Sequence, residues 1–414
     1  MPRTVLFIVT SFWAYGELTI ATEFARRMSG EFRPLFLIPP SHRRLVAGAG
    51  LAHQVLVPNA GKINRIQLHD IQHVHRPALV VLADSLNFDF CERHYGLRRS
   101  DLRVFDCPIG TFDDFAWGLP GAWMDTYGFR AKYDGQISMA GLSFRLRPCP
   151  LNNPVGDPDE PGVYPYPLLA DVADRATTER DAVRRELGLR PGRPVVLVAG
   201  AAWQQLGGAY PRVNAFVAAC RAMLERLLTR LLEHADVLAV GPPLVFRDGA
   251  PAGFHPLGPV EPARFRRLIQ AVDLHISSNI GSVSLHRLAL AGVPSVVLMN
   301  SLRKQRGRVW SERPGQLKLT EFARRVVAGV DYLYPYRMFP VGWYHFLGPL
   351  LAGNPFSDVV THLEVFDDET ALARILPLLA DGPERQRLAQ ARETYLAALR
   401  KLPEVDTILR QVAG

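Results

Sequence analysis

Cysteine is scarce. Cys91, Cys107, Cys149 and Cys220 are the only four in 414 residues, and no two of them form a Cys-x-x-Cys pair. Such scattering argues against both a structural zinc site and a disulfide framework. No uninterrupted apolar run approaches the roughly 18 residues that a membrane span requires. The N-terminus passes straight into a strand-like run, PRTVLFIVT, without the charged, apolar and small-residue regions of a secretion signal. No membrane span and a cytoplasmic address are therefore expected. A massed basic tract is lacking too. The net charge is +8, but the arginines are spread through helical stretches, and RRELGLRPGR and SLRKQRGR are only local clusters. A nucleic-acid surface would show a basic stripe with interleaved aromatics. The excess of positive charge suits anionic small ligands better.

What is present is alternation. The length suits two domains of about 200 residues each. Thr4 to Thr10 is apolar and β-branched, as a fully buried parallel strand is. The helix-like IATEFARRMS follows, then strand FRPLFLIPP, a short helix opened by Ser41, and strand HQVLVP. HDIQHVHRPALVVLADS reads as a helix feeding a fourth strand, Ala78 to Leu82, and DLRVFDCPIG as a fifth strand ending near Asp106. Strand–helix alternation of this kind predicts a doubly wound parallel sheet, whose ligands sit at the carboxyl ends of the strands. Residues 117–165 read as irregular, and LNNPVGDPDEPGVYPYP, punctuated by Pro and Gly, is the best linker candidate. The pattern restarts at strand Val195 to Ala199, with Gly200 at its carboxyl end, and a long amphipathic helix follows from about Arg212 to His234. The tail from Glu369 is helical with a break at Gly382-Pro383.

The second half is organised around Leu274–Asn300, LHISSNIGSVSLHRLALAGVPSVVLMN. It reads as a strand, a small polar turn holding Gly281, a short helix stopped by Gly292, and a second strand. The start of such a helix offers free backbone N–H groups and a positive dipole end, which together can seat a phosphate. An ordinary βαβ unit with nothing bound has the same shape.

Two doubly wound domains and a long C-terminal helix resemble the GT-B glycosyltransferases. Among these the chain looks most like the actinobacterial enzymes that decorate macrolide-type and other antibiotics. Counted back from Gly292-Val293-Pro294, the family motif HGGxGSxHxxxxxGVP falls on residues 279–294. Gly281, Ser284, His286 and the Gly-Val-Pro end match; Asn279, Ile280 and Val283 depart from it. The resemblance implies an α/β fold of two Rossmann-like domains facing across a cleft. An acceptor-binding domain would span 1–170 and a donor-binding domain 171–385, with a helix at 386–414 packing back on the first. It also implies a nucleotide-diphosphate sugar, UDP- or dTDP-linked, as co-substrate, and a small-molecule acceptor as the other partner. A homodimer is left open. Diphosphate contacts would come from Ser278, Asn279, Gly281, Ser282, Val283, Ser284 and His286. Gly16, Gly200, Ala201 and Trp203 would line the cleft, and the backbone at Val260 would read the base.

Two departures carry weight. Where relatives place an Asp-Gln pair on the donor sugar, this chain has Arg303 and Lys304, cations suited to an anionic sugar or the diphosphate. Where relatives carry Gly-His before the first helix, with the His deprotonating the acceptor, this chain has Gly16-Glu17. A glutamate can act as base if burial or a neighbouring charge raises its pKa; equally, a carboxylate in a first helical turn favours the dipole. Asp84 and Asp106, expected at the ends of the fourth and fifth strands, are the other candidates for base or orienting acid, or else plain helix caps. The metal-binding Asp-x-Asp of other glycosyltransferases is absent from residues 171–385, so no metal or other cofactor is expected. His69 and His73 share a helix face without a zincin glutamate and read as solvated. The aromatic stretch 334–349 reads as core packing, or as a lining for the sugar end of the cleft. The expected activity is inverting glycosyl transfer. The alternatives are a nucleotide-sugar epimerase of the same architecture and an inactive GT-B-like auxiliary protein.

Overall fold

A computed structural model describes residues 2–120, 122–125, 135–155, 160–169, 177–205, 211–244, 246, 249–315, 317–340 and 343–414. Seven strands form the first sheet: β1 (Arg3–Ile8), β2 (Phe32–Ile38), β3 (His53–Val55), β4 (Leu79–Leu82), β5 (Ile109–Phe112), β6 (Phe144–Cys149) and β7 (Val163–Pro167). Their order is β3-β2-β1-β4-β5-β6-β7, with every pairing parallel. The second sheet holds β8 (Val195–Ala199), β9 (Asp236–Val240), β10 (Phe254–Gly258), β11 (Leu274–Ser277), β12 (Ser295–Met299) and β15 (Thr361–Glu364). Its order is β10-β9-β8-β11-β12-β15, again all parallel. Strands β13 (Leu302–Gln305) and β14 (Arg308–Ser311) form a separate antiparallel hairpin. The expected α/β class and the pair of doubly wound parallel sheets are present.

Each sheet is wound outward in both directions from one strand. In the first, the chain runs β1 to β3 toward one edge and β4 to β7 toward the other, so the order reverses between β1 and β4. In the second, the reversal lies between β8 and β11. These are the crevices where ligands of open α/β sheets bind. The strands flanking them are apolar on both faces and fully buried, as in Val5–Ile8 and Val195–Leu197.

The two sheets are not independent bodies. One hydrophobic cluster joins Val5, Phe7 and Phe24 of the first half to Ile280, Leu285 and Ala289 of the second. Helix Gly16–Ala25 packs on helix Val283–Leu290, where Arg287 pairs with Glu23 at 3.0 Å. The C-terminal helices Pro383–Leu399 and Val405–Ala413 add Tyr395, Leu399, Ile408 and Leu409 to the same cluster. Arg3 Nη2 donates to the Ala413 carbonyl at 2.6 Å. Burial of Ile408 and Leu409 there stabilises the fold by roughly 2 kcal/mol each. No helix among the described residues is long and apolar enough to cross a membrane.

Three local expectations need correction. The fifth strand is not DLRVFDCPIG: Arg99–Val104 is a 3-10 helix opened by Asp101, which accepts from the Arg98 N–H, and β5 begins only after Pro108. Asp106 therefore precedes β5 instead of ending it. Residues 117–165 are not wholly irregular, since β6 and part of β7 lie there. The linker candidate ends inside β7, which tolerates Pro165 and Pro167 because it is an edge strand paired only with β6.

Gly241 shows how tightly the second crevice is built. It follows β9 at φ +110°, and a Cβ there would collide with the Gly200 carbonyl oxygen. Gly241→Ala is expected to destabilise the fold by about 2 kcal/mol or more, read as a lowered denaturation midpoint, because both the backbone conformation and the contact forbid a side chain.

Candidate functional site

The carboxyl ends of β1, β4 and β5 carry an acidic cluster. Glu17 sits in the first turn of helix Gly16–Ala25, partly exposed, and both its oxygens are engaged. Ser11 Oγ donates to Oε2 at 2.5 Å, and Asn87 Nδ2 donates to Oε1 at 2.6 Å. Asp84 follows β4 and caps helix Ser85–Phe90, accepting the Asn87 backbone N–H at 2.6 Å. Asn87 thus ties the two carboxylates to one rigid turn. Asp113 and Asp114 follow β5. Asp113 is fully buried and accepts from Arg147 Nε at 3.2 Å and from the Trp117 N–H at 3.0 Å. Asp114 is 9% exposed, and its Oδ1 is buried with no hydrogen-bond partner.

Burial sets the electrostatics. It lifts the Glu17 carboxyl above its usual range, against the pull of the Ser11 and Asn87 bonds. Asp84 is pushed up to about 7, by burial first and by the Glu17 charge second. Asp114 is raised well above 3.8 by burial and then by the charges of Asp84, Glu17 and Asp113. Asp113 is raised by burial too, with Arg147 drawing it back. Like charges in a poorly solvated crevice cannot all ionise at once, so part of the cluster stays protonated at neutral pH.

Of the three predicted acids, the structure brings Glu17 and Asp84 together and leaves Asp106 out. Asp106 is exposed and accepts from Gln72 Nε2 at 3.2 Å. The mistaken strand boundary explains the miss: Asp113-Asp114, seven and eight residues later, hold the strand-end position assigned to it. Ser11 and Asn87 gave no sequence signal, since a serine or an asparagine in a loop most often serves a turn. Gly16 stands at the helix start with open space beside its Cα.

The second crevice is built from the loops after β8 and β11. Gln204 joins them, donating from Nε2 to Ser278 Oγ at 3.0 Å while its Oε1 accepts the Ala201 N–H at 2.8 Å. Gly200, Ala201, Gln204 and Ser278 line a largely apolar pocket at these strand ends, with Arg221 and Tyr336. Trp203 packs edge-on against Trp343, the ring centroids 4.8 Å apart. Asn279 Oδ1 accepts the Gly281 N–H at 2.8 Å, and Ser282 and Ser284 share a 2.6 Å hydrogen bond at the start of helix Val283–Leu290. Val283 is the first residue of that helix. Gly281 is close-packed: a Cβ there would lie 3.0 Å from Met338 Sδ and 3.4 Å from Leu151 Cδ2.

His286 is sealed beneath the loop. It is 2% exposed, its Nε2 pairs with the Ile280 carbonyl at 2.8 Å, and its Nδ1 is buried. Burial brings its pKa down to about 4, so it is a neutral brace for the loop and no counter-charge for phosphate. Val260 lies beyond β10, the edge strand, and Arg303 on the β13–β14 hairpin; neither lines the pocket. Arg303 pairs with Glu312 at 3.1 Å and lies over the Trp310 ring, while Lys304 Nζ donates to the Val327 and Ala328 carbonyls. Tyr336, Met338, Phe339 and Phe346 of the aromatic stretch are buried, and His69 and His73 are exposed on their helix.

A model of a family of unknown function, DUF6365, matches residues 24–414. The chain belongs to the DUF6365 family. No match was found among curated protein sequences. Among solved structures, this DUF6365 chain is similar to the spinosyn forosaminyltransferase SpnP, at 13% identity and a TM-score of 0.54 over 99% of this chain and 98% of that one. It is similar to the spinosyn rhamnosyltransferase SpnG, at 14% and 0.52 over 99% of both chains. Anabaena Alr3699/HepE, solved with UDP and glucose, gives 12% and 0.53 over 99% and 98%. The fold is that of the GT-B glycosyltransferases.

The shifted carboxyls have a measurable consequence. An aspartate whose folded pKa rises from 3.8 to about 7 contributes stability that is complete below the lower value and lost as pH climbs through the upper one. Asp84→Asn keeps a competent helix cap and never ionises. At pH 8 it is expected to be more stable than the parent by about 1–3 kcal/mol, and at pH 4 to match it, as read by denaturant unfolding at the two pH values.

Proposed function

We propose that the chain is a metal-independent, inverting glycosyltransferase that moves a sugar from a UDP- or dTDP-linked donor to a small-molecule acceptor. The observation that carries this reading is the Glu17 carboxylate. It lies at the first sheet's reversal point, desolvated, oriented by two donors and partly open to the cleft. Solved proteins of the same fold bind UDP and glucose, or a spinosyn aglycone, and donor and acceptor sites are carried over from them to the two crevices here.

Chemically the assignment balances. Glu17 takes the proton of the acceptor hydroxyl as that oxygen attacks the anomeric carbon. The bond from that carbon to the diphosphate oxygen breaks, and the nucleoside diphosphate leaves with the electron pair. Burial raises the Glu17 carboxyl above its ordinary range, the direction that suits a general base, since proton transfer is most efficient when the pKa approaches the working pH. Ser11 and Asn87 fix the carboxylate's direction. Leaving-group charge would be met by the Ser282 and Ser284 hydroxyls, the loop N–H groups and the helix dipole, with Arg221 supplying positive charge at the pocket.

A second reading is a nucleotide-sugar epimerase. The gathering of several acids of raised pKa favours it, because epimerisation needs more than one acid–base group. Incubating the donor alone separates the two: an epimer formed without acceptor supports the second reading, and transfer or hydrolysis supports the first.

Glu17→Gln is expected to lower turnover by 10²–10⁴-fold, the usual yield of a general base. The affinity for UDP or dTDP, measured by calorimetry, should stay within about threefold of the parent, because the base makes no ground-state contact with the nucleotide. Full activity in this variant would remove Glu17 from the chemistry. No stabilisation by any nucleoside diphosphate would remove the donor site.

A further inference from the structure

A desolvated carboxylate is stable only with a cation beside it or a proton on it. Among the described residues no ion pair reaches Glu17, Asp84 or Asp114, and Arg147 serves Asp113 and Glu160 instead. The Asp114 Oδ1 is buried and bonded to nothing. No trio of side chains among the described residues is arranged to hold a metal ion. The cluster therefore carries negative potential that no side-chain cation pairs with at Glu17, Asp84 or Asp114 among the described residues. Its mouth is aromatic. Phe12 and Tyr15, in the loop between Ser11 and Glu17, are 41% and 53% exposed. Phe12 packs on Trp13 at 4.8 Å and on His94 at 4.3 Å, and Trp13 packs on Phe90 at 5.9 Å. Tyr15 packs on His42 at 4.9 Å, and the loop that carries these rings also carries Ser11, the hydrogen-bond donor to Glu17; aromatic faces near carboxylates favour organic cations.

We propose that the acceptor carries a positively charged amine, held by Asp84 and Asp114 beside Glu17 while its apolar body rests on the Phe12, Trp13 and Tyr15 wall. This rests on the reading of the Glu17 crevice as the acceptor site. The ammonium supplies the missing counter-charge, so its arrival ionises carboxyls that are protonated in the empty site. The charged and titratable groups around it are Glu17 and Arg27 from the first helix and its end, Asp84 and Cys91 after β4, Asp113 and Asp114 from the β5 end, Arg145 and Arg147 from β6 and Tyr166 from β7. Binding should therefore release protons to the buffer. A neutral acceptor of the same shape has no such effect.

The test is isothermal titration calorimetry on the full chain at pH 7, with 2-phenylethylamine and 2-phenylethanol as probes, each in two buffers of different ionisation enthalpy. The amine is expected to bind at least fivefold tighter than the alcohol, with a buffer-dependent enthalpy that the alcohol lacks. The preference should shrink toward one in Asp114→Asn and in Asp84→Asn. If Asp114→Asn does not fold, the buffer dependence in the parent and the Asp84→Asn result decide alone. Equal binding of the two probes, or a preference kept in the variants, would overturn the proposal. UDP and dTDP titrations on the same preparations keep the two readings apart. Nucleotide binding and Glu17-dependent turnover without an amine preference would sink this inference only. An amine preference without nucleotide binding would sink the glycosyltransferase reading and leave the cation site standing.

Discussion

Burial of carboxylates without a counter-charge, where the first sheet reverses direction, is the constraint on which the site depends. Placing Glu17, Asp84 and Asp114 in one crevice costs stability, which the buried sheet and helix packing must offset. The geometry is kept by short, local devices. Asn87 gives its side chain to Glu17 and its backbone N–H to Asp84, so a single turn after β4 sets the distance between two acids. Ser11 fixes the other Glu17 oxygen from the turn after β1. Because β4 lies parallel between β1 and β5, the turns after the three strands lie side by side, and that adjacency makes the cluster possible.

The second crevice relies on backbone and small groups. Gln204 bridges the loops after β8 and β11, Gly241 lets the neighbouring turn approach Gly200, and His286 braces the loop from beneath through the Ile280 carbonyl. A neutral, sealed imidazole of this kind keeps loop N–H groups in place without contributing charge. The shared hydrophobic cluster and the Glu23–Arg287 pair then set the two crevices in a fixed relation.

Much of this architecture was legible in the chain. Buried parallel strands are continuous apolar runs, so β1, β8, β9 and β11 stand out, and Gly292 stops its helix at φ +78° as a left-handed cap would. The edge of the first sheet was hidden because β7 carries two prolines, which an edge strand accepts and a pattern search rejects. β5 was misplaced because RSDLRVFD has strand-like residues yet is drawn into a 3-10 helix by the Asp101 cap, and Asp106 was misassigned with it. The motif register placed His286 correctly in sequence, but register does not reveal which way a side chain faces. Asp114, Asn87 and Ser11 matter only through contacts between distant turns, and no spacing in the chain announces them.

Glu17 is proposed to react from within this acid cluster. The pH dependence of donor hydrolysis in the parent and in Glu17→Gln tests it most directly. A parental rate that rises with pH through one ionisation above the ordinary carboxylate range is expected, because Glu17 gives up its proton before Asp84 does. In Glu17→Gln that limb should be lost together with most of the rate. The parental limb kept at full height in Glu17→Gln would contradict the place of Glu17 in the chemistry.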